Sequence, residues 1–202
     1  MYNKIINIYY KLFLLFNLFH NIFSINFQII NNCNILLNIY SHENQKFNNI
    51  CNLESNNECF INYDQISSGL IKTTLTEIAT LFEFSINSNG IWYDISVIPP
   101  GSGNCYSYQE CLSISNKISY NIPLSIEINN NNKLNSCQNL YCNKQDCSDA
   151  YLYPFDDLKT KFCDLNSEFK LIYCYDNIKL NNNTNDLNNN NTNDLNNDCN
   201  FL

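Results

Sequence analysis

Arginine does not occur in this chain. All 11 basic residues are lysines, set against 19 acidic ones, and the net charge is −8. Affinity for nucleic acid comes from neutralising phosphates, so nucleic acid is excluded as a natural partner. Glycine is scarce, at four residues. The Gly101-Ser102-Gly103 stretch lacks the lysine and helix that follow a phosphate loop, so nucleotide binding is not expected. There is no CxxC pair, and neither His20 nor His42 lies near the cysteine cluster, which argues against zinc. No metal and no cofactor are expected. Long apolar runs are missing too: Leu12–Phe16 continues to Phe23, but Asn17, His20 and Asn21 interrupt it before it is long enough to form a stable membrane span.

What the chain has is cysteine, 11 residues in 202. Such a load in a short chain reads as a disulfide scaffold when the compartment is oxidising. The N-terminus points to that compartment. Lys4 and Lys11 precede the apolar run, which ends at the small residue Ser24, the layout of a cleaved signal peptide over residues 1–24. Five of the cysteines fall between Cys137 and Cys174, and the last follows an alternating strand, Phe169–Tyr173. Secretion to the extracellular space or cell wall is the expected localisation.

Asparagine, at 42 residues, is abundant throughout, but only the end is of low complexity. Residues 176–202 form an imperfect Asn-rich repeat with too little apolar content to offset ordering entropy, and the tail is expected to be disordered. It carries two N-x-T acceptors for glycosylation, Asn182 and Asn190. In an Asn/Thr-rich repeat such triplets also arise by chance.

Residues 25–175 read as one domain of short strands separated by polar turns, an all-β sandwich or barrel. No sustained helical period is visible. The strongest local signal is a hairpin, in which Thr80–Ile86 and Ile91–Val97 flank Asn87-Ser88-Asn89-Gly90. Phe82, Phe84 and Ile86 alternate with Leu81, Glu83 and Ser85, so Glu83 lies on the face away from the core. A loop at Ser88-Asn89 sets Glu83 opposite Asp94; a turn at Asn89-Gly90 sets it opposite Ser96. Like charges directly opposite are destabilising. In the first register one carboxylate is therefore pushed towards its protonated form. Both side chains in open water is the plainer alternative, since screening then removes the effect. Trp92 shares the face of Asp94, placed to stack on a sugar ring or to pack as a sandwich aromatic.

These residues carry a resemblance. The hairpin TLFEFSINSNGIWYDIS (Thr80–Ser96) resembles the TLAEF…FYDxS hairpin of thaumatin-like proteins. FQIINNC (Phe27–Cys33) is similar to their mature N-terminus and SYNIPLSI (Ser119–Ile126) to their GYNxPMxx strand. CSDAYLYPFDDLKTKFC (Cys147–Cys163) resembles their CPDAYxYPxDDxxTxxC segment, and FKLIYC (Phe169–Cys174) their closing strand. The likeness implies the small form of the fold, a single disulfide-stapled antiparallel β-sandwich. It also implies the pairs Cys33–Cys174, Cys51–Cys59, Cys137–Cys163 and Cys142–Cys147. Cys105 and Cys111 lie in an insertion (98–117) and would bridge each other, which leaves Cys199 odd and available for an intermolecular link. Only 17 residues separate Cys33 from Cys51, so one or two N-terminal strands are expected to be shortened or lost.

Thaumatin-like proteins are secreted defence or wall-associated proteins, some of which bind or slowly hydrolyse β-1,3-glucans through an acidic cleft. The matching residues are Glu83, Asp94 and one of Asp156 or Asp157. The family pairs these with an arginine, which is absent here, and a further cleft aspartate would fall near Ile98–Pro100, where none occurs. If the chain hydrolyses glycosides, Glu83 would be the general acid and Asp94 or Asp156 the base or nucleophile. The expected partner is a β-glucan-type polysaccharide or cell-wall component. The alternative is a non-catalytic structural or matrix protein.

Overall fold

The structure, a computed structural model, describes residues 25–43, 45–63, 67–129 and 135–176. The expected leader, Asn182, Asn190 and Cys199 lie outside the described residues. Eleven strands build two sheets. The first contains β1 (Ile25–Asn31), β4 (Glu58–Tyr63), β8 (Leu124–Asn129), β9 (Leu140–Cys142) and β11 (Glu168–Tyr173), in the order β4-β1-β11-β8-β9. The second contains β2 (Leu37–Glu43), β3 (Lys46–Leu53), β5 (Ser67–Lys72), β6 (Leu81–Asn87), β7 (Gly90–Ser96) and β10 (Lys161–Cys163), in the order β10-β7-β6-β5-β2-β3. All pairs are antiparallel except β1 with β11.

Period-2 patterning explains the sandwich. In β1 the residues Ile25, Phe27 and Ile29 are buried, and in β6 so are Phe82, Phe84 and Ile86. The facing rows interdigitate between sheets, as in aligned β-sandwiches. Phe27 sits at the centre, its ring 5.1 Å from Phe82, 5.2 Å from Phe84, 5.5 Å from Tyr63 and 5.6 Å from Phe169. Edge-on and tilted contacts of this kind add to the burial of the rings themselves. The one fully buried asparagine, Asn31, is satisfied: its Nδ2 donates to the carbonyls of Ile35 and Leu53, and its Oδ1 accepts from the Cys33 N–H.

Four disulfides close in the pairs the resemblance implies, and Cys105 and Cys111 bridge each other within the insertion as expected. Cys33–Cys174 spans 141 residues of sequence. In the chain-entropy model such a loop contributes about 5 kcal/mol through the unfolded state. Cys51–Cys59 ties β3, the edge of one sheet, to β4, the edge of the other.

Two expectations need correction. Of the expectation that one or two strands of the short Cys33–Cys51 span are shortened or lost, loss is ruled out, because β2 and β3 pair within it and just beyond, with a bulge between Ile39 and Tyr40. The insertion contains a helix, α1 (Tyr108–Ser115), although no helical period was read. Ser107 caps it by accepting the Glu110 N–H, Glu110 Oε2 accepts the Tyr106 N–H, and Asn116 ends it in the left-handed region. Eight residues are too few for a periodic signal, and local capping with the Cys105–Cys111 bridge stands in for it.

Candidate acidic site and binding trough

The hairpin turn is Ser88-Asn89, with Asn87 facing Gly90. The Asn87 side chain fixes it by accepting the N–H groups of Asn89 and Gly90 at 2.8 and 3.2 Å. Gly90 lies one place past the turn. A Cβ there would collide with the Cys163 carbonyl and the Phe162 ring, so glycine is required where β10 lies against β7.

This turn selects the first of the two registers, and Glu83 faces Asp94 directly. Both are half-buried on the outer face of the six-stranded sheet. Burial pushes the Asp94 carboxyl up to about 8, with the facing Glu83 charge adding to the shift. Burial also raises Glu83, offset in part by a hydrogen bond from the Ser96 hydroxyl. Asp94 Oδ1 is buried without a hydrogen-bond partner. A carboxyl so placed is stable as the acid, because ionising it there costs solvation that no donor replaces. The pair therefore holds a proton near neutrality.

The remaining predicted residues divide. Asp157 joins the site through Tyr151, whose hydroxyl donates to Asp157 Oδ1 at 3.3 Å and contacts Thr160 Oγ1 at 2.5 Å. Tyr151 extends the sheet beside β7, exchanging backbone hydrogen bonds with Ile95 and Val97. Burial raises its hydroxyl pKa, and the Asp94 charge adds to the shift. Asp156 is buried against the chain turn and hydrogen-bonds Tyr153 rather than joining the dyad. Trp92 is 47% exposed and packs on Phe162, with ring centroids 4.8 Å apart.

Sheet register extends the site across the strands. One row runs Asp94, Glu83, Leu70, His42, Phe47; the row beside it runs Phe162, Trp92, Ser85, Ser68. Between them and around Glu83 lies an open trough of about 800 Å³, whose lining includes His42, Glu43, Ser68, Glu83 and Ser85. From β2 through β5 to β6 the trough crosses two strand spacings, about 10 Å at ~4.8 Å each, and Asp94 and Trp92 stand on β7, the next strand beyond it. Small hydroxyl side chains form its floor and carboxyls its wall, so it can exchange hydrogen bonds with a polyhydroxylated chain. Sequence reasoning missed Tyr151, Thr160, His42 and Phe162. Of these only Tyr151 had a local signal, the YLY alternation ahead of Pro154.

Among the described residues no group of three or more His, Cys, Asp or Glu is placed to hold a metal ion. None of the described helices is long and apolar enough to cross a membrane.

The molecule is thus a disulfide-stapled two-sheet sandwich with an acidic pair on one outer face. No family model matches the chain. A thaumatin-like protein of Oryza sativa subsp. japonica is 28% identical over 109 residues. A thaumatin-like pathogenesis-related protein 4 of Avena sativa is 31% identical over 108 residues. Each alignment covers 53% of this chain and 48% of the relative, so the chain spans about half the length of the curated relatives it matches. The solved structure of a thaumatin-like xylanase inhibitor has a TM-score of 0.51 at 14% identity, covering 73% of this chain and 98% of that one. At that identity the likeness concerns the fold alone. In sequence over about half its length, and in its single-sandwich fold, the chain is similar to thaumatin-like proteins.

Proposed function

We propose that this is a secreted, defence-type carbohydrate-binding protein that holds a β-1,3-glucan-type chain in the trough beside Glu83 and Asp94. The observation that carries the reading is a polar trough lined by Glu83, with Asp94 paired to Glu83 in register on the neighbouring strand and the exposed ring of Trp92 on that same strand. A protonated Asp94 donates to a sugar hydroxyl, Glu83 and the serine hydroxyls complete the hydrogen bonding, and Trp92 stacks on a ring face. Five disulfides support an oxidising compartment, and the relatives' names, among them a pathogenesis-related protein, support the defence role.

Binding without turnover fits this chemistry better than hydrolysis. A glycosidase of either stereochemistry needs an ionised carboxylate beside its acid. Here burial and the facing Glu83 charge keep Asp94 in its acid form, so it cannot serve as the base to a Glu83 acid, and Asp156, the other candidate for base, hydrogen-bonds Tyr153 instead.

Sedimentation with insoluble β-1,3-glucan, with reducing-sugar release followed in the same tubes, tests the reading. The wild type is expected to co-sediment without releasing sugar, and Trp92→Ala and Glu83→Gln to stay in the supernatant. Wild-type protein left in solution sinks the proposal. Sugar release that Glu83→Gln abolishes would show an enzyme instead.

A further inference from the structure

Four large apolar side chains stand exposed along one stretch of surface: Trp92 at 47%, Tyr106 at 68%, Phe155 at 48% and Leu158 at 89%. All four belong to, or stack on, the segment 155–162. This segment hangs off the edge of β7: Tyr151 bridges Ser96 just before it, and β10 pairs with Tyr93, Trp92 and Ile91 at its end. Both of its ends carry a phenylalanine stacked on a ring from elsewhere. Phe162 meets Trp92 at 4.8 Å, and Phe155 meets Tyr106 at 5.0 Å with the planes only 17° apart. Between these ring pairs lie Asp157 and Thr160, both in contact with the Tyr151 hydroxyl that feels the Asp94 charge.

Tyr106 is displayed rigidly. It precedes the Ser107 cap of α1, where an apolar residue ordinarily packs back onto the first turn as a staple. Here Cys111 occupies the inward position and is bonded to Cys105, so the disulfide does the stapling and the Tyr106 ring points away. Its N–H is fixed on Glu110 Oε2 at 2.8 Å. An exposed aromatic ring held by a cap and a covalent bridge loses little further entropy when a ligand stacks on it.

We propose that segment 155–162 is a binding lip on the far side of β7 from the trough, with Tyr106 as a second stacking platform for the same linear glycan. This rests on the carbohydrate reading above. The ligand lies across the outer sheet face, passes Trp92 and Asp94, and leaves over the β7 edge, where its outlying sugar stacks on the free face of Tyr106. The aromatic–acidic–aromatic order suits a chain that alternates ring faces with hydroxyl edges.

Calorimetric titration with β-1,3-linked gluco-oligosaccharides, from disaccharide to octasaccharide, tests this. Wild-type affinity is expected to rise again once the chain outgrows the trough. Tyr106→Ala is expected to lose only that second rise, about three- to tenfold for the longest oligomers, and Tyr106→Trp to restore it. If Tyr106→Ala binds every length as the wild type does, while Trp92→Ala loses the short oligomers, the lip is refuted and the trough stands. If the wild type binds no oligomer of any length, both readings fall. Near-ultraviolet circular dichroism of each variant identifies any that fails to fold, and for such a variant Phe155→Ala takes its place.

Discussion

The two sheets of this sandwich treat their outer faces differently. In the five-stranded sheet the register sets Lys170 opposite Glu127, and Gln28 donates to Glu58 at 2.7 Å. In the six-stranded sheet the same kind of antiparallel register sets Glu83 opposite Asp94. Opposite charges across a strand pair stabilise and like charges destabilise, each by about 0.2–1 kcal/mol relative to neutral pairs. One face is arranged for stability, and the other holds an arrangement that stability alone would remove. Trp92 lies half-exposed on the second face. The difference supports the proposal that places the binding site on the six-stranded sheet, without reference to any relative.

The largest expected effect breaks both faces at once. Phe27→Ala removes the ring on which both sheets converge, and about 3–5 kcal/mol of stability should be lost, read as a lower urea midpoint. Next is Asp94→Asn, which separates the faces. The Asp94 pKa is raised by folding to about 8. Its stabilising contribution is therefore full below the unfolded value near 4 and is lost as pH rises through about 8. The wild-type melting temperature should fall over that window, while the Asn variant should melt with a flatter profile and exceed the wild type at pH 9. Equal slopes in the two profiles would remove the protonated acid from the argument.

A smaller change makes the quiet face resemble the active one. Lys170→Glu sets two carboxylates opposite each other on β8 and β11, at an expected cost of about 0.5–1 kcal/mol that shrinks with added salt. Smallest in stability is Trp92→Ala, expected within about 1 kcal/mol because the side chain is half-exposed, yet it should abolish glucan co-sedimentation. A large stability loss without a binding loss would return Trp92 to a packing role.

Much of this was legible in the sequence, for identifiable reasons. The β6–β7 hairpin announced itself through alternation and the Asn-rich turn, but its register stayed open, since Asn-Gly favours a turn one place further on. What decided it was tertiary: β10 needs Gly90 bare for close approach, which keeps that residue in the strand. Disulfide pairing was legible only through family likeness. The helix was hidden by its length, although Ser107 and Glu110 stand at capping-box spacing. Strands β2 to β5 are rich in asparagine and serine, residues of weak strand preference, and are held by their neighbours. Tyr151 joins the acidic residues through a bridge between segments over fifty positions apart, which no local pattern encodes.

The parallel pairing of β1 with β11 has a consequence for how the molecule is made. Strand β1 finds its inner neighbour only when Tyr173 has been synthesised, because β11 slots between β1 and β8. Until then one sheet exists as separate halves, with the Phe27 ring uncovered on one side and Cys33 waiting for its mate. Closure of this sheet, and of the Cys33–Cys174 bridge, therefore waits for β11.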